Sequence, residues 1–191
     1  IMITYEEFTT KKTFNFQEIL AFSRGNLVLN SPHDLPQIPT PPFLMFDRIL
    51  DIEHKSRGGR IVAEQDVKLD AWFFQCHFRG DPVQPGCLGV DAVWQLTGFW
   101  GCLMGAPGSG RALGAKEIAF NGQIRPHNKI VKYDIHNLKF VKTPGQALMV
   151  GDANVYVDDK LIYEIKGQRV GAFTGIKYET YPWEGPNGEE K

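Results

Sequence analysis

The most unusual hydrophobic pattern in the chain is a run with almost no polar face, which begins after Gly86. Apolar side chains fill nearly every position from there to Met104, and Asp91 and Gln95 are the strongly polar exceptions. A helix that is apolar nearly all round is a buried helix. Because Asp91 and Gln95 are four residues apart, they share one face of that helix and can form a hydrogen bond.

Most of the remaining chain shows the pattern of β-strands. Runs rich in β-branched and aromatic residues, bounded by turn residues, predict strands. The predicted strands are residues 44–52, 60–69, 111–120, 129–141, 147–157 and 160–173. Consecutive strands joined by short turns form an antiparallel sheet. One apolar helix and one long antiparallel sheet must cover each other, so the predicted fold class is α+β.

The N-terminal region carries shorter signals. Asn15 and Glu18 form a capping pattern, which predicts a short amphipathic helix that ends at Gly25. Residues 31–42 contain five prolines and are expected to be extended. We expect a single domain over residues 1–177, followed by a mobile tail over residues 178–191, which is rich in Gly, Pro and Glu.

Composition narrows the classes of function. The 191 residues include 21 basic and 22 acidic side chains, and the net charge of −1 gives no overall field for nucleic acid. The chain has no unbroken apolar run long enough to span a membrane and no signal-peptide pattern, so a cytoplasmic protein is expected. Three cysteines without the spacing of a disulfide framework suit a reducing compartment.

The stretch before the apolar helix carries the candidate chemistry. His77, the best general base in the chain, stands fourteen residues before Asp91. The prolines between them prevent a continuous helix, because the residue before each proline is pushed towards extended geometry. The helix is therefore expected to start near Gly86 and Cys87. Backbone N–H groups at a helix start lack intrahelical partners and suit an oxygen that gains negative charge.

Residues 72–95 also carry a resemblance to a known family. They read Trp-Phe-Phe-x-Cys-His-Phe-x-Gly-Asp-Pro-Val-x-Pro-Gly-Cys-Leu-Gly-x-Asp-Ala-x-Trp-Gln. This run resembles the bacterial 3-hydroxydecanoyl-[acyl-carrier-protein] dehydratase/isomerases of type II fatty acid synthesis. Further matching segments lie at Leu44–Arg48, Gly110–Gly114, Phe120–Gln123, Leu161–Tyr163 and Val170–Gly171. The general dehydratases of the same fold look similar but carry Glu at the position of Asp91, so Asp favours the bifunctional enzymes.

The resemblance implies a fold, an assembly and a partner. It implies a hot-dog fold, in which the sheet wraps around the central helix, and a homodimer in which His77 of one protomer meets Asp91 of the other. It implies a substrate of about ten carbons carried on the phosphopantetheine arm of acyl carrier protein, and no bound cofactor. The expected site also includes Gln95 and Val83 as orienting residues. Trp94 and Phe78 are expected to line the substrate tunnel.

The reaction that these residues suit is loss of water from a 3-hydroxyacyl thioester. Neutral His77 is suited to removing the C2 proton, and the N–H groups of Gly86 or Cys87 are suited to the charge that develops on the thioester oxygen. The departing hydroxyl needs a proton. Asp91 supplies it if apolar surroundings keep its carboxyl group protonated; if the helix start keeps the group ionised, His77 shuttles both protons. Isomerisation then moves a proton from C4 to C2 and gives the cis-3-enoyl thioester.

Other interpretations apply to several of these residues. Cys76, His77 and Cys87 suggest a zinc site, but adjacent Cys and His are poorly spaced for chelation. A nucleophilic Cys87 is the other alternative, and a small, buried, inert thiol is the preferred interpretation. An acidic carrier protein requires a basic patch on this protein. The alternative interpretation is that the basic residues belong to an ordinary solvated strand surface. The candidates for that patch are Arg125, Lys129, Lys132, Lys139 and Lys142.

Two rival functions stay open at this point. The first is a dehydratase of the same fold without isomerase activity, and the second is a non-catalytic acyl-binding hot-dog dimer. One departure from the family bears on the substrate: Gln84 stands where relatives usually have Met between Val and Pro. Because Gln84 borders the expected site, it puts the preferred chain length in question.

Overall fold

The computed structural model describes residues 1–179 of the chain. It contains a single turn of 3-10 helix at Trp72–Gln75. The α-helices are α1 (Tyr5–Thr10), α2 (Phe16–Ser23) and α3 (Gly86–Leu103). The strands are β1 (Ile3–Thr4), β2 (Val28–Leu29), β3 (Arg48–Glu53), β4 (Arg57–Asp66), β5 (Ser109–Gly114), β6 (Glu117–Phe120), β7 (Ile130–Thr143), β8 (Gln146–Val157) and β9 (Lys160–Phe173).

The seven strands β3 to β9 form one antiparallel sheet, in the order β3-β4-β7-β8-β9-β5. Strand β6 pairs with the first half of β9, and β5 pairs with its second half. Helix α3 packs against β4, β7, β8 and β9. This is the predicted hot-dog arrangement, with a long sheet around a buried central helix.

The turn between β8 and β9 shows how local sequence sets the register of the sheet. Asp158 and Asp159 both have positive φ, at 48° and 66°. Two residues with positive φ make the hairpin turn whose twist matches that of the flanking strands, and Asp tolerates this backbone better than most residues do. The Asp158 carboxylate also accepts hydrogen bonds from the N–H groups of Lys129 and Ile130, at 2.9 and 3.0 Å. This turn therefore also holds the start of β7.

Aromatic packing joins the N-terminal helices to α3. Phe99 of α3 meets Phe8, Phe14 and Phe22 edge-on, with ring centroids 4.9–5.8 Å apart. Such pairs add roughly 0.5–1.5 kcal/mol each beyond the area that they bury. On another side of α3, Trp100 packs against β4 so closely that a Cβ on Gly59 would lie 2.5 Å from its ring. The central helix is thus enclosed by the sheet and by the N-terminal segment.

Several predicted boundaries were wrong. Helix α1 and the short pair β1–β2 were not predicted. The first sheet strand starts at Arg48 instead of residue 44, because the backbone of residues 43–45 bonds to the side chain of Gln95 and not to a strand. The single strand predicted over 111–120 is two strands, interrupted after Gly114, whose φ is 131°.

The ends of the described chain bear on two expectations. Most of the predicted tail, residues 180–191, lies outside the described residues. Tyr178, just before them, accepts a hydrogen bond from the guanidinium group of Arg111. No helix within residues 1–179 is both long and apolar enough to cross a membrane.

Candidate active site

His77 lies directly after the 3-10 turn, in a loop that fixes its orientation. Its N–H donates to the carbonyl oxygen of Phe73 at 2.8 Å, and its own carbonyl oxygen accepts from the N–H of Val83 at 2.8 Å. The ring atom Nδ1 is 2.9 Å from the carbonyl oxygen of Val83. A carbonyl oxygen only accepts hydrogen bonds, so Nδ1 must carry the proton. In the neutral imidazole the other ring nitrogen, Nε2, is then the unprotonated one and able to accept a proton.

The loop after His77 is held by its own backbone hydrogen bonds and by Arg125, from the segment before β7. The backbones of Phe78 and Asp81 exchange two hydrogen bonds, at 2.8 and 3.0 Å. The guanidinium group of Arg125 forms an ion pair with the Asp81 carboxylate and donates to the carbonyl oxygen of Pro82 at 3.1 Å. Arg125 therefore braces the loop between His77 and α3.

Helix α3 presents its first turn to the same cavity as His77. The N–H groups of Gly86 and Cys87 form no hydrogen bond within residues 1–179, as expected at a helix start. A Cβ on Gly86 would lie 2.9 Å from the ring of Phe120, so glycine permits this close approach. The cavity is lined by His77, Val83, Gln84, Gly86, Cys87, Phe120, Asn121, Gly122, Gln123 and Tyr163. A proton acceptor and two unpaired N–H donors thus line one cavity.

Asp91 is held in place by Gln95, one turn further along α3. Nε2 of Gln95 donates to a carboxylate oxygen of Asp91 at 2.7 Å and to the carbonyl oxygen of Phe43 at 2.8 Å. Its Oε1 accepts from the N–H of Met45 at 3.0 Å. Because that N–H can only donate, it fixes which way the Gln95 amide points. The amide therefore orients the half-buried Asp91 carboxyl group.

His77 and Asp91 line separate cavities in the single chain. The cavity of Asp91 is bounded by residues 36–39, Phe43, Trp94, Gln95, Gly98, residues 110–112 and Val170. It has no lining residue in common with the cavity of His77. Trp94, predicted to line a tunnel, lies in the Asp91 cavity. Within one chain, the base and the carboxyl group therefore serve different cavities.

Two further predicted positions differ from expectation. Cys87 is exposed, so the prediction of a buried thiol was wrong. It lies in the first turn of α3, where the helix borders an open cavity instead of the sheet. Phe78 is 56% exposed and lines neither cavity; its ring packs on that of His77, with centroids 3.8 Å apart. Within residues 1–179, no cluster of three or more His, Cys, Asp or Glu side chains is placed to hold a metal ion.

The candidate basic residues have unequal surroundings. Besides Arg125, two are engaged within the chain: Nζ of Lys132 lies 5.9 Å from the ring centroid of Tyr156, and Nζ of Lys142 donates to the carbonyl oxygen of Gly105 at 2.9 Å. Lys129 and Lys139 are exposed.

Gln84 is a buried polar side chain between two cavities. It is only 2% exposed and borders both the His77 cavity and a second one lined by Gln65. Its Nε2 has no acceptor at normal hydrogen-bond geometry within the described residues, and the nearby Tyr133 hydroxyl oxygen is only a weak acceptor for it. The neighbouring Tyr133 hydroxyl directs its own proton to Oε1 of Gln65 at 2.8 Å. A buried donor without an acceptor lowers stability by about 1–3 kcal/mol.

Gln84→Met is therefore expected to stabilise the protein, because it removes a buried, poorly paired amide and keeps nearly the same volume. We expect a gain of about 1 kcal/mol or more in the free energy of unfolding. For a chain of this size, that corresponds to a rise of roughly 2–4 °C in Tm. The matched control is Gln95→Met, which removes an amide with three hydrogen bonds and should lower Tm. Thermal unfolding followed by circular dichroism measures both, and a lower Tm for Gln84→Met would contradict the expectation.

Sequence reasoning missed Tyr163 and Phe120 as parts of the His77 cavity. Their rings pack edge-on, with centroids 4.8 Å apart, over the first turns of α3. Phe120 lies on Gly86, and Tyr163 lies on Gly89, where a Cβ would come within 2.7 Å of the ring. The signal was present as two glycines three residues apart on one helix face, which leaves room for bulky neighbours.

Comparison with known proteins agrees with this architecture. Residues 38–166 match the family model of the FabA-like domain. Among solved structures, the dehydratase heterocomplex ApeI:P from Xenorhabdus doucetiae is similar, with 12% identity, a TM-score of 0.53, and coverage of 74% of this chain and 88% of that one. A hypothetical thioesterase with coenzyme A from Streptococcus pneumoniae TIGR4 matches with 15% identity, a TM-score of 0.43, and coverage of 67% and 88%. The match to the dehydratase heterocomplex shows the fold alone, and since the family match spans more than half of the chain, this protein belongs to the FabA-like domain family.

Proposed function

We propose that the protein dehydrates (3R)-3-hydroxyacyl thioesters carried on acyl carrier protein, and isomerises the trans-2-enoyl product to the cis-3-enoyl thioester. The observation that supports this most directly is the tautomer of His77. Its Nδ1–H donates to the carbonyl oxygen of Val83 at 2.9 Å, which leaves Nε2 as a base in the cavity that Gly86 and Cys87 also line. A base beside two unpaired N–H donors suits the removal of a proton next to a carbonyl group.

The proposed dehydration has two bond-breaking events. Nε2 of His77 takes the C2 proton, and the N–H groups of Gly86 and Cys87 stabilise the charge on the thioester oxygen. The C3–O bond then breaks, and the hydroxyl leaves as water after it receives a proton. Asp91, oriented by Gln95, provides that proton or holds the hydroxyl while His77 returns its own. Both the C2 proton and the hydroxyl leave the substrate, so the balance is one water per double bond.

The active site is proposed to form between two copies of the chain. In one chain the His77 cavity and the Asp91 cavity have no lining residue in common. A two-fold symmetric pair brings the base of each copy to the carboxyl group of the other and makes two equivalent sites.

Isomerisation is proposed to use the same base. After dehydration, His77 removes a proton from C4 of the trans-2-enoyl thioester, and a proton returns at C2. Only proton transfers and the loss of water are involved, so neither step requires a redox cofactor. The proposed carrier protein is acidic, and from the predicted basic set the exposed Lys129 and Lys139 are the candidates to meet it.

Product analysis with 3-hydroxydecanoyl thioester tests this function. The expected result is a mixture of trans-2- and cis-3-decenoyl thioesters, resolved by chromatography and mass spectrometry. Formation of the trans-2 product alone would assign the protein as a dehydratase without isomerase activity. If correctly folded protein binds the thioester but does not turn it over, the non-catalytic acyl-binding function replaces the proposal.

A further inference from the structure

Tyr163 of β9 is rigidly placed against the start of the central helix. It is only 2% exposed. Its ring covers Gly89 of α3 so closely that a Cβ there would lie 2.7 Å from Cε2. The ring of Phe120 meets it at 88°, with centroids 4.8 Å apart. Because neighbours hold the ring on both sides, the direction of the hydroxyl is fixed by packing.

The hydroxyl of Tyr163 has no partner within the described residues, although the residue lines the His77 cavity. No hydrogen bond from or to this oxygen occurs among residues 1–179, and because it is not one of the fully buried unpaired atoms, it is open to the cavity. Burial, with a smaller effect from the nearby Cys87 thiol, raises the pKa of Tyr163 to about 12. The group is therefore a protonated hydrogen-bond donor throughout the neutral range.

We propose that the Tyr163 hydroxyl donates a hydrogen bond to a carbonyl oxygen of the bound acyl thioester. This inference rests on the proposed function and names a further substrate-binding residue for it. The cavity places Tyr163 beside Cys87, whose N–H is the proposed donor to the thioester oxygen. A carbonyl oxygen next to this helix start is either that of the thioester itself or that of an amide in the pantetheine arm. Both present the same acceptor to the phenol.

Other polar groups at this wall are less suited to the role. The side-chain amide of Asn121 already donates to the Glu164 carboxylate, at 3.1 Å. Gln123 is exposed, and its position is not enclosed by packing. Tyr163 combines a fixed ring with an unpaired donor. Because the ring is already fixed, its hydroxyl binds a ligand with little loss of conformational entropy.

Tyr163→Phe tests the proposal, because it removes only the hydroxyl and keeps the packing on Gly89 and Phe120. We expect binding of an unreactive saturated decanoyl-pantetheine thioester, measured by calorimetry, to weaken about tenfold, the net effect of one hydrogen bond. A simple S-ethyl decanoyl thioester lacks the arm. If the thioester carbonyl is the acceptor, both ligands lose affinity; if an arm amide is the acceptor, only the pantetheine form does. The kinetic counterparts are a higher KM together with a lower kcat in the first case, and a higher KM alone in the second.

The matched control is Tyr156→Phe, on the neighbouring strand β8 and away from the cavity, which should leave binding unchanged. Equal affinity of wild type and Tyr163→Phe for both ligands would overturn the inference. So would failure of Tyr163→Phe to fold, because a hydroxyl needed for folding would have a structural role. Calorimetry does not depend on turnover. A protein that binds through Tyr163 but never dehydrates would contradict the proposed function and leave this inference intact.

Discussion

Replacing His77 with alanine is expected to lower kcat for dehydration by roughly 10²–10⁴-fold, the usual contribution of a positioned general acid or base. In the folded protein the ring bonds to the carbonyl oxygen of Val83 at 2.9 Å, so Nε2 is the unprotonated nitrogen of the neutral ring. No other histidine lines the cavity that contains the start of α3. The alanine variant keeps the two N–H donors but has no group to take the C2 proton. Steady-state kinetics with a 3-hydroxyacyl thioester measures the loss.

The appropriate control is His127→Ala, because His127 is exposed and absent from both cavities. It should retain wild-type kcat. Both variants should unfold near the wild-type Tm, since neither removes a large buried side chain. If His77→Ala retained activity within tenfold of wild type, His77 would not be the base, and the proposed chemistry would have to be reassigned.

The main elements could be predicted from the sequence where the pattern and the local chemistry agree. Strands β7, β8 and β9 lie within two residues of their predicted limits, because alternation and turn residues coincide at Asp158–Asp159. The predicted start of α3 at Gly86 is also confirmed, since prolines before it and an apolar run after it mark the same boundary. The predicted capping pattern at Asn15 is confirmed as a full capping box with Glu18.

The wrong predictions share a physical cause, which is dependence on distant parts of the chain. Residues 44–47 have the composition of a strand, yet the N–H of Met45 bonds to Gln95, a partner fifty positions away in the chain. Cys87 has an apolar sequence environment, but its exposure depends on where the helix leaves the sheet. Tyr163 entered the site through its packing on Gly89; the spacing of Gly86 and Gly89 indicates bulky neighbours but does not identify which strand residues they are.

In the candidate site too, local contacts were predictable from the sequence and contacts with distant segments were not. The Asp91–Gln95 hydrogen bond follows from helix periodicity and was predictable. The two backbone groups that complete the Gln95 environment, at Phe43 and Met45, were not, because they come from the segment before β3. Likewise, a lone His77 does not reveal its tautomer until the carbonyl of Val83 is placed against Nδ1.

Mixing two inactive variants is expected to restore activity if the site is shared between protomers. Asp91→Asn keeps the size of the side chain but cannot act as a carboxyl group, so alone it should lose most dehydration, as His77→Ala does. In a mixed dimer, one site collects both lesions and the other has neither. Random pairing makes about half of the dimers mixed, each with one of two sites intact, so activity should recover to roughly a quarter of wild type.

The readout separates the two arrangements sharply. If His77 and Asp91 of the same chain formed the site, every site in the mixture would carry a lesion and no activity would return. Native mass spectrometry of differently labelled variants establishes that the subunits have exchanged, and each variant mixed with itself sets the background. The separate cavities of His77 and Asp91 within one chain favour recovery. An exchanged mixture that stays at background would place the whole reaction within one protomer and would overturn the shared site while leaving the role of His77 as base intact.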